Sequence, residues 1–259
     1  CALQGHYDLF PIPPHEPAAL RHLLERVRAG EIHGLNVTIP HKQTVLSLLD
    51  DLTPSARAIG AVNTIYQRDS VLVGDNTDAP GFYTDLMRFL ASLGGHSRPA
   101  HALVLGAGGS ARAVVYALLT NGWQVTLSAR RPEQAHALAA DFAALTGQPL
   151  SVISLADLAA LPSFDAPPAL IVNTTPLGMH PHTDQSPWPS AVPFPPNAAV
   201  YDLVYNPRET LLLQQARAAG LPAISGLGML IEQAALAFQR WTDCAPPRQP
   251  LWQALLEPR

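Results

Sequence analysis

The sequence predicts an α/β protein with two domains, and three features of the chain indicate it. Through residues 1–79, short apolar runs typical of strands alternate with stretches of helical spacing. After a polar break at residues 94–99, apolar runs and helical stretches follow one another as strand–helix units, the pattern of a parallel sheet. A glycine-rich turn joins the first of these strands to its helix. A chain of 259 residues is long enough for both domains.

In the first domain, placed at residues 1–79, we expect four strands and two helices. The strands are predicted at residues 5–12, 34–39, 62–66 and 71–74. The helices are predicted at residues 16–29 and from about residue 42 to residue 49. Residues that interrupt regular structure end three of these segments, at Pro13, Gly30 and Pro40.

In the second domain, placed at residues 80–227, strands and helices alternate more regularly. The strands are predicted at residues 101–105, 124–127, 170–172 and 199–203. The helices are predicted at residues 81–93, 113–119, 133–145 and 211–219. The proline-rich stretch at residues 181–196 is too irregular for either and predicts a long loop. Beyond this domain, residues 229–241 have apolar positions at helical spacing and predict an amphipathic helix.

Composition excludes several classes of protein. The net charge of −4 and the pI near 6.2 give no basic field for nucleic acid. The sequence has no apolar run of membrane-spanning length and no secretory signal pattern. Its two cysteines are too few for a disulfide framework, and its histidines lack the spacing of metal ligands. We therefore expect a soluble cytoplasmic protein that does not bind nucleic acid, a membrane or a metal.

Lysine is nearly absent from the chain, since Lys42 is the only lysine among 16 basic residues. Arginine carries a surface charge as well as lysine does, but it cannot release a proton near neutral pH. The single lysine therefore points to a position where arginine would not serve. Asparagine is also scarce, and five asparagines fall inside the motifs described below: Asn36, Asn63, Asn76, Asn173 and Asn206.

The turn at residues 106–111 reads Gly-x-Gly-x-x-Ala between an apolar strand and a helix, the context of a dinucleotide-binding fingerprint. The first glycine permits a tight turn, the second lets the backbone approach a pyrophosphate, and the small third residue lets the helix pack on the strand. The helix N-terminus attracts the phosphate charge. We expect a dinucleotide to contact the whole turn: Gly106, Ala107, Gly108, Gly109, Ser110 and Ala111.

The end of the next strand distinguishes NADP from NAD. An NAD site usually has Asp or Glu there to hold the ribose 2′-hydroxyl, whereas this chain has Ala129, Arg130 and Arg131. Two guanidinium groups suit a 2′-phosphate through planar, charge-assisted hydrogen bonds. Solvated arginines after a strand are the simpler interpretation in general, but at this distance from the glycine turn we favour phosphate binding. NADP is the predicted cofactor.

Two polar residues stand where strands give way to helices. Lys42 follows a β-type run and Pro40, a position expected at the mouth of a cleft rather than in a core. Asp78 follows a turn and begins a helix. An ordinary surface charge is the alternative for Lys42, and an ordinary helix N-cap is the alternative for Asp78. We predict that both residues are catalytic.

Seven motifs occur in order along nearly the whole chain: NVTIPHK, AVNT, GDNTDAPG, GAGGSAR, NTTPLGM, YDLVYNP and GLGMLIEQA. This ordered set closely resembles the shikimate dehydrogenase family. The resemblance implies a Rossmann-type NADP-binding domain and an α/β substrate-binding domain with a cleft between them. It also implies an oxidoreductase of aromatic amino acid and chorismate biosynthesis, which interconverts shikimate and 3-dehydroshikimate with NADP.

The resemblance implies roles for individual residues. Lys42 and Asp78 match the residues that face the reacting hydroxyl group. We expect Lys42 to take or relay the hydroxyl proton and Asp78 to orient Lys42, while the order of the proton transfers stays open. The residues matching Thr38, Asn63, Tyr205 and Gln233 bind the substrate. The resemblance also implies that Thr174, Gly226 and Met229 contact the cofactor. The tail helix with Gln233 returns to the first domain, so residues 228–259 complete it.

The family pattern opens with a strand and a helix that carry a Ser-x-Ser pair for the substrate carboxylate. No residues before Gly5 match it, so we expect that segment to be missing and substrate binding to be weak. Two alternatives remain open, a dehydrogenase with broader quinate and shikimate range and a catalytically silent homologue that binds small molecules. The expected assembly is a monomer or a homodimer.

Overall fold

The computed structural model describes residues 3–94, 100–154, 157–158 and 167–256. The chain forms two compact units, one of Cys1–Thr77 together with Gln233–Arg259, the other of Asp78–Glu232. The domain boundaries proposed from the sequence, after residue 79 and before residue 228, lie within a few residues of these divisions. Each unit has its own sheet and its own core.

The first unit contains a four-stranded sheet. Its strands are β1 (Gly34–Asn36), β2 (Asp51–Leu52), β3 (Thr64–Arg68) and β4 (Val71–Asp75), in the order β1-β3-β4-β2. Strand β3 runs antiparallel to β1 and β4, while β2 runs parallel to β4. The helices are α1 (Pro17–Arg28), α2 (His41–Thr44) and α3 (Pro54–Ile59), with a 3₁₀ turn at Val45–Leu48.

Helix α1 supplies much of the core of this unit. Its leucines and its valine recur at the spacing of one helix face, and that face is buried. Leu23, Leu24 and Val27 pack with Ile65 and Leu72 of the sheet in one apolar cluster. The sheet is therefore covered by α1, which lies within the helix predicted at residues 16–29.

The second unit contains a six-stranded parallel sheet. Its strands are β5 (His101–Leu105), β6 (Gln124–Ser128), β7 (Ser151–Ile153), β8 (Leu170–Asn173), β9 (Ala199–Asp202) and β10 (Ala223–Ser225). Its helices are α4 (Asp78–Ser92), α5 (Gly109–Thr120), α6 (Pro132–Thr146) and α7 (Leu211–Ala218). Helix α8 (Leu227–Thr242) carries the chain from this unit back into the first, and α9 (Arg248–Leu256) follows it.

The strand order of the second sheet reverses at β5. The order is β10-β9-β8-β5-β6-β7, with every neighbouring pair parallel. Counted from the other edge, this is the 3-2-1-4-5-6 order of dinucleotide-binding folds, in which ligands bind at the carboxyl ends of the strands beside the reversal. The predicted α/β fold with a Rossmann-type sheet is confirmed. The glycine turn follows β5 and so lies at the binding edge.

The strand predicted at residues 5–12 is wrong. These residues form no strand, and their apolar side chains are largely solvent-exposed, with Leu9 85% exposed. Tyr7 is held by its side chain, because its hydroxyl donates to Asn36 Oδ1 over 3.0 Å. A β-type pattern forms a strand only where another strand offers backbone partners, and within the described residues this segment joins no ladder.

Several short elements escaped prediction. Strands β2, β7 and β10 have two or three residues each, too few to show a two-residue period. The helix predicted from residue 42 to residue 49 is a four-residue helix followed by a 3₁₀ turn.

Cys244 is disulfide-bonded, and no free cysteine occurs in the described part of the chain. None of the helices in the described ranges is long and apolar enough to cross a membrane.

Candidate active site

The segment after β1 carries Thr38 and Lys42 and is fixed through its backbone. The Val37 N–H donates to Asn63 O over 2.8 Å, and the carbonyl of Lys42 accepts from Val62 N–H at the same distance. The Ile39–Pro40 peptide bond is cis. Thr38 is exposed and Lys42 is half-buried. The strand, the proline and the short helix therefore place both residues beside the start of β3.

Asn63 is the centre of a buried hydrogen-bond network in the first unit. Its Oδ1 accepts from the Thr77 N–H at 2.8 Å and from Thr64 Oγ1 at 3.0 Å. Its Nδ2 donates to Thr77 Oγ1 at 2.9 Å and to Gln233 Oε1 at 3.3 Å. The structure thus brings together two predicted substrate residues, Asn63 and Gln233. It adds Thr77, which lies in the GDNTDAPG motif but was given no role from the sequence.

Within the first unit, Asp75 links the end of β4 to the C-terminal half of α8. Its buried carboxylate accepts from Thr53 Oγ1, from the Asn76 N–H and from Arg240 Nε, each at 2.7 or 2.8 Å. The same ion pair raises the pKa of Arg240. This carboxylate was not predicted as functional. Its partners hold the turn that leads to Thr77 and Asp78.

Asp78 is the first residue of α4 and begins the second unit, whereas Lys42 belongs to the first unit. The side chain of Asp78 is buried. A carboxylate in the first turn of a helix is stabilised by the helix dipole. This position agrees with the predicted turn-to-helix context of Asp78.

The glycine turn after β5 has the geometry of a phosphate-binding loop. Gly106 has a φ of 113°, and a Cβ there would lie 2.5 Å from Thr174 Oγ1. Thr174 in turn donates from Oγ1 to Leu105 O over 2.7 Å. Gly108 is exposed with open space around its Cβ position, and Ala111, in the first turn of α5, is buried. The loop and Thr174 therefore form one surface, which Ala107, Gly109 and Ser110 complete.

Arg130 and Arg131 leave the sheet beside this turn. Leu105 and Ser128 are register partners in β5 and β6, so the glycine turn and Ala129 begin side by side. Both arginines are exposed, and neither forms an ion pair with any residue in the described ranges. Arg112, by contrast, pairs with Asp141 at 2.9 Å and lies over the Phe142 ring. The two guanidinium groups after β6 are accordingly available to an anion.

A buried carboxylate lies under the loops that leave β8 and β9. Asp202 accepts from Asn173 Nδ2 at 2.8 Å, from Thr210 Oγ1 at 2.6 Å and from the Val204 N–H at 3.0 Å. Burial raises the pKa of Asp202 to about 6. Asn173 also accepts from Thr175 Oγ1 at 2.8 Å. Sequence reasoning missed Asp202, although the scarcity of asparagine marked Asn173.

The remaining predicted residues of the second unit surround the end of β9 and the start of α8. Tyr205 is 44% exposed. Gly226 lies so close to Leu203 that a Cβ would overlap its carbonyl oxygen. Met229 is buried in the first turn of α8. Among the residues that the structure describes, no group of three or more His, Cys, Asp or Glu has the arrangement of a metal site.

Both ends of the chain match models of one family. Residues 1–65 match "Shikimate dehydrogenase substrate binding domain", and residues 226–256 match "Shikimate 5'-dehydrogenase C-terminal domain". A shikimate dehydrogenase (NADP(+)) from Salinibacter ruber is 47% identical over 246 residues, which cover 93% of this chain and 84% of the relative. The chain belongs to the shikimate dehydrogenase family. The resemblance inferred from the seven motifs is confirmed.

Solved structures of this family have the same fold. The shikimate dehydrogenase of Thermus thermophilus, crystallised with NADP(H) and shikimate, is 39% identical with a TM-score of 0.78, over 94% of this chain and 84% of that chain. Quinate dehydrogenase from Corynebacterium glutamicum, crystallised with NAD, is 31% identical with a TM-score of 0.80, over 92% and 82% of the two chains. Shikimate dehydrogenases and a quinate dehydrogenase therefore share this architecture.

Proposed function

We propose that the chain catalyses the NADP-dependent, reversible oxidation of shikimate to 3-dehydroshikimate. It is an oxidoreductase of the shikimate dehydrogenase family, whose relatives from many organisms are NADP(+) enzymes. The proposal rests on one observation, that two features occur together in this chain. A buried polar network lies within the substrate motifs of the first unit. A glycine turn and two exposed arginines lie at the carboxyl ends of the strands in the second unit.

The residues at the second sheet fit NADP. The turn of Gly106 and Gly108 suits a pyrophosphate, because its backbone is open to close approach and α5 begins there. Arg130 and Arg131 suit the 2′-phosphate, which a neutral or acidic residue would not hold. Thr174, Gly226 and Met229 complete the proposed set. NADP, when bound, supplies the acceptor or donor of the hydride.

In the first unit, Asn63 and Gln233 are proposed to bind the substrate. Their amide groups are held in one network with Thr77, so their orientation is set before a ligand arrives. Thr38 is exposed on the segment after β1 and is proposed to hydrogen-bond the polyol. Tyr205 is also exposed and is proposed to contact the substrate. Hydroxyl and amide groups match the hydroxyls of a polyol.

Lys42 and Asp78 are proposed to manage the proton of the reacting hydroxyl. When the hydride leaves the carbon, the hydroxyl proton must pass to a base, and lysine can accept and release it whereas arginine cannot. Lys42 therefore takes or relays the proton, and Asp78 accepts a hydrogen bond from the hydroxyl. Lys42 is the only lysine in a chain that otherwise uses arginine, and this supports its role.

The test is the rate of reduced-nicotinamide formation with shikimate or quinate, each offered with NADP or NAD. Turnover with shikimate and NADP is expected to exceed the other three pairs. Lys42→Ala and Lys42→Arg are both expected to lose at least a hundredfold in kcat, because general acid–base catalysis contributes about 10²–10⁴-fold. Lys42→Arg is the matched control for charge. Full activity of Lys42→Arg would show that a positive charge suffices and no proton moves through position 42.

The same assay decides between two candidate substrates. A broader quinate and shikimate range is favoured by the likeness to a quinate dehydrogenase that was crystallised with NAD. The exposed Arg130 and Arg131 favour NADP and thus the shikimate reaction. Comparable kcat/KM for quinate would establish the broader range. No turnover with any of the four pairs would refute the proposed reaction and leave the silent homologue open.

We also infer a cytoplasmic location and a monomer or homodimer. The low cysteine content supports the location, because disulfide-rich frameworks belong to oxidising compartments, whereas the disulfide bond of Cys244 counts against it. Cell fractionation tests it, and recovery of the chain outside the cytoplasmic fraction would refute it. The native mass in solution tests the assembly, and a tetrameric mass would refute the second inference.

A further inference from the structure

A polar cluster in the second unit has no part in the roles assigned so far; three of its four side chains are buried, and the fourth, Arg88, is half-exposed. It consists of Asp85 and Arg88 on α4, Tyr201 on β9 and Glu232 on α8, and we call it the Asp85 cluster. The Tyr201 hydroxyl donates to Asp85 Oδ2 at 2.7 Å. Arg88 donates to Asp85 Oδ1 at 2.9 Å and to Glu232 Oε1 at 2.6 Å. The cluster thus joins two helices and a central strand.

The Tyr201 side chain is held through its hydroxyl and through its ring. The hydroxyl donates to Asp85 on α4, and the ring meets the Phe82 ring edge-on with centroids 5.1 Å apart. Tyr201 has no solvent exposure. The backbone N–H of Met229, in the first turn of α8, acts on the same hydroxyl and offsets part of the rise in its pKa that burial causes.

The start of α8 is built against the Asp85 carboxylate. Any Cβ at Gly228 would overlap the carboxylate oxygens of Asp85. Only glycine therefore lets the first turn of α8 approach α4 this closely. The close approach sets the position of Met229, the next residue, which is proposed to contact the cofactor.

Asp85 lies on the same face of α4 as Asp78. Residues seven apart on an α-helix share a face, and Phe82 lies between them. Asp78, Phe82 and Asp85 are all buried. A hydrogen bond and a ring contact to Tyr201 therefore fix the rotation of the helix whose first residue is Asp78.

We propose that Tyr201 and Asp85 are positioning residues for the dehydrogenase reaction, which hold Asp78 and the first turn of α8 in the arrangement that the reaction needs. The proposal rests on the proposed function, because it assigns the cluster to the reaction that Asp78 serves. Tyr201 and Asp85 act through α4 and α8 and do not touch the substrate.

Stability alone does not account for the cluster. Burial of Asp85 raises its pKa and burial of Tyr201 raises its pKa well above the ordinary value, so the folded chain bears a desolvation cost at both groups. Apolar side chains of similar volume hold helices together at no such cost. Directional hydrogen bonds have a different property, since they favour one orientation over its neighbours. The cluster therefore fits a requirement for exact helix placement.

The experiment compares Tyr201→Phe with the unchanged chain and with Tyr116→Phe, a matched control on α5. The substitution keeps the ring and its contact with Phe82 but removes the hydroxyl that donates to Asp85. We expect kcat to fall about tenfold, equivalent to about 1.4 kcal/mol. The KM for shikimate and the Kd for NADP should change by less than threefold. The isotope effect with shikimate deuterated at the reacting carbon should rise, because hydride transfer becomes slower. Tyr116→Phe should change none of these quantities.

Gly228→Ala tests the same arrangement from the other side, since its methyl group displaces the Asp85 carboxylate. It should lower kcat similarly, and the double variant should lose less than the product of the two single losses, because both act through one carboxylate. A lower Tm with unchanged kcat and isotope effect would reduce Tyr201 to a structural role and overturn the proposal. So would multiplicative losses in the double variant. An unchanged chain without turnover would overturn the proposed function, and with it this inference.

Discussion

At the scale of single residues, the chain uses arginine and lysine at different kinds of position. Arg130 and Arg131 are exposed beside the glycine turn, whereas Lys42 is half-buried after a cis proline. Arginine suits a fixed phosphate contact, because its charge is permanent and its donors form a planar fork. Lysine suits a position where a proton must leave. The two functions proposed for these side chains follow from that difference.

Removing either arginine of the pair should weaken the binding of NADP and leave the binding of NAD unchanged. Each substitution, Arg130→Ala or Arg131→Ala, is expected to cost about 1.5–3 kcal/mol of NADP affinity, the range for a hydrogen bond to a charged group. This corresponds to an increase of about 10–150-fold in the Kd for NADP. Titration of each variant with NADP and with NAD measures the effect.

The matched control is Arg112→Ala. Its guanidinium group is paired with Asp141 and lies over Phe142, so its loss should leave the ratio of NADP to NAD affinity unchanged. An unchanged ratio in the Arg130 and Arg131 variants as well would show that neither arginine reads the 2′-phosphate.

The sequence indicates candidate site residues where a motif combines with a chemical requirement. Gly106, Lys42 and Arg130 each stand at a junction of strand and helix that the sequence reveals. Thr77 and Asp202 were missed, because a buried threonine or aspartate in a sequence looks the same as an exposed one. Each is bonded to a residue well separated from it along the chain, Asn63 for Thr77 and Asn173 for Asp202.

At the scale of elements, the loops after β8 and β9 depend on the buried carboxyl of Asp202. The pKa of Asp202 is raised from 3.8 to about 6 in the folded chain. A raised pKa means that the folded state binds the proton more tightly than the unfolded state, so the stabilisation is complete below pH 3.8. It is lost as the pH rises through about 6. The difference between the two pKa values corresponds to about 3 kcal/mol in the free energy of unfolding.

Urea unfolding between pH 3 and pH 7 tests this dependence. The free energy of unfolding of the unchanged chain, relative to Asp202→Asn, should fall as the pH rises from about 4 to about 6. Asp50→Asn is the control of opposite sign. Hydrogen bonds from Arg28 lower the pKa of Asp50, so its stabilisation is present above pH 3.8 and is lost as the pH falls. Parallel curves for the unchanged chain and Asp202→Asn would disprove the assignment.

Long elements were predictable and short ones were not. Helix α1 shows a clear period, because its buried face repeats several times, and strand β5 is an unbroken apolar run. Strands β2 and β10 have no room for a repeat and exist through pairing with β4 and β9. The failed strand at residues 5–12 is the converse case, a β-type pattern without a ladder among the described residues.

At the scale of the whole molecule, the residues proposed for cofactor and substrate divide between the two units. The glycine turn and the arginine pair belong to the second unit, and Lys42 belongs to the first. NADP at 100 times its Kd should raise the free energy of unfolding by about 2.7 kcal/mol. Thermal unfolding with and without NADP should show the same increase in Tm for Lys42→Ala, since the variant keeps every proposed cofactor residue.

A double variant, Arg130→Ala with Arg131→Ala, should lose most of the NADP-dependent increase in Tm. The pair of variants thus separates cofactor binding from catalysis in one assay. Loss of the increase in Lys42→Ala would mean that Lys42 takes part in holding NADP, which the proposed roles do not allow.

The first unit is discontinuous, and this has a consequence for its synthesis. Gln233 bonds to Asn63, Arg240 to Asp75 and Trp241 to Ile65 O, each pair separated by more than 160 residues. A ribosome must add the 155 residues from Asp78 to Glu232 before any of these three partners exists. At about 5–20 residues per second, this takes roughly 8–31 seconds. The second unit is continuous and has all its strands by then, so residues 1–77 emerge first and reach their final hydrogen bonds last.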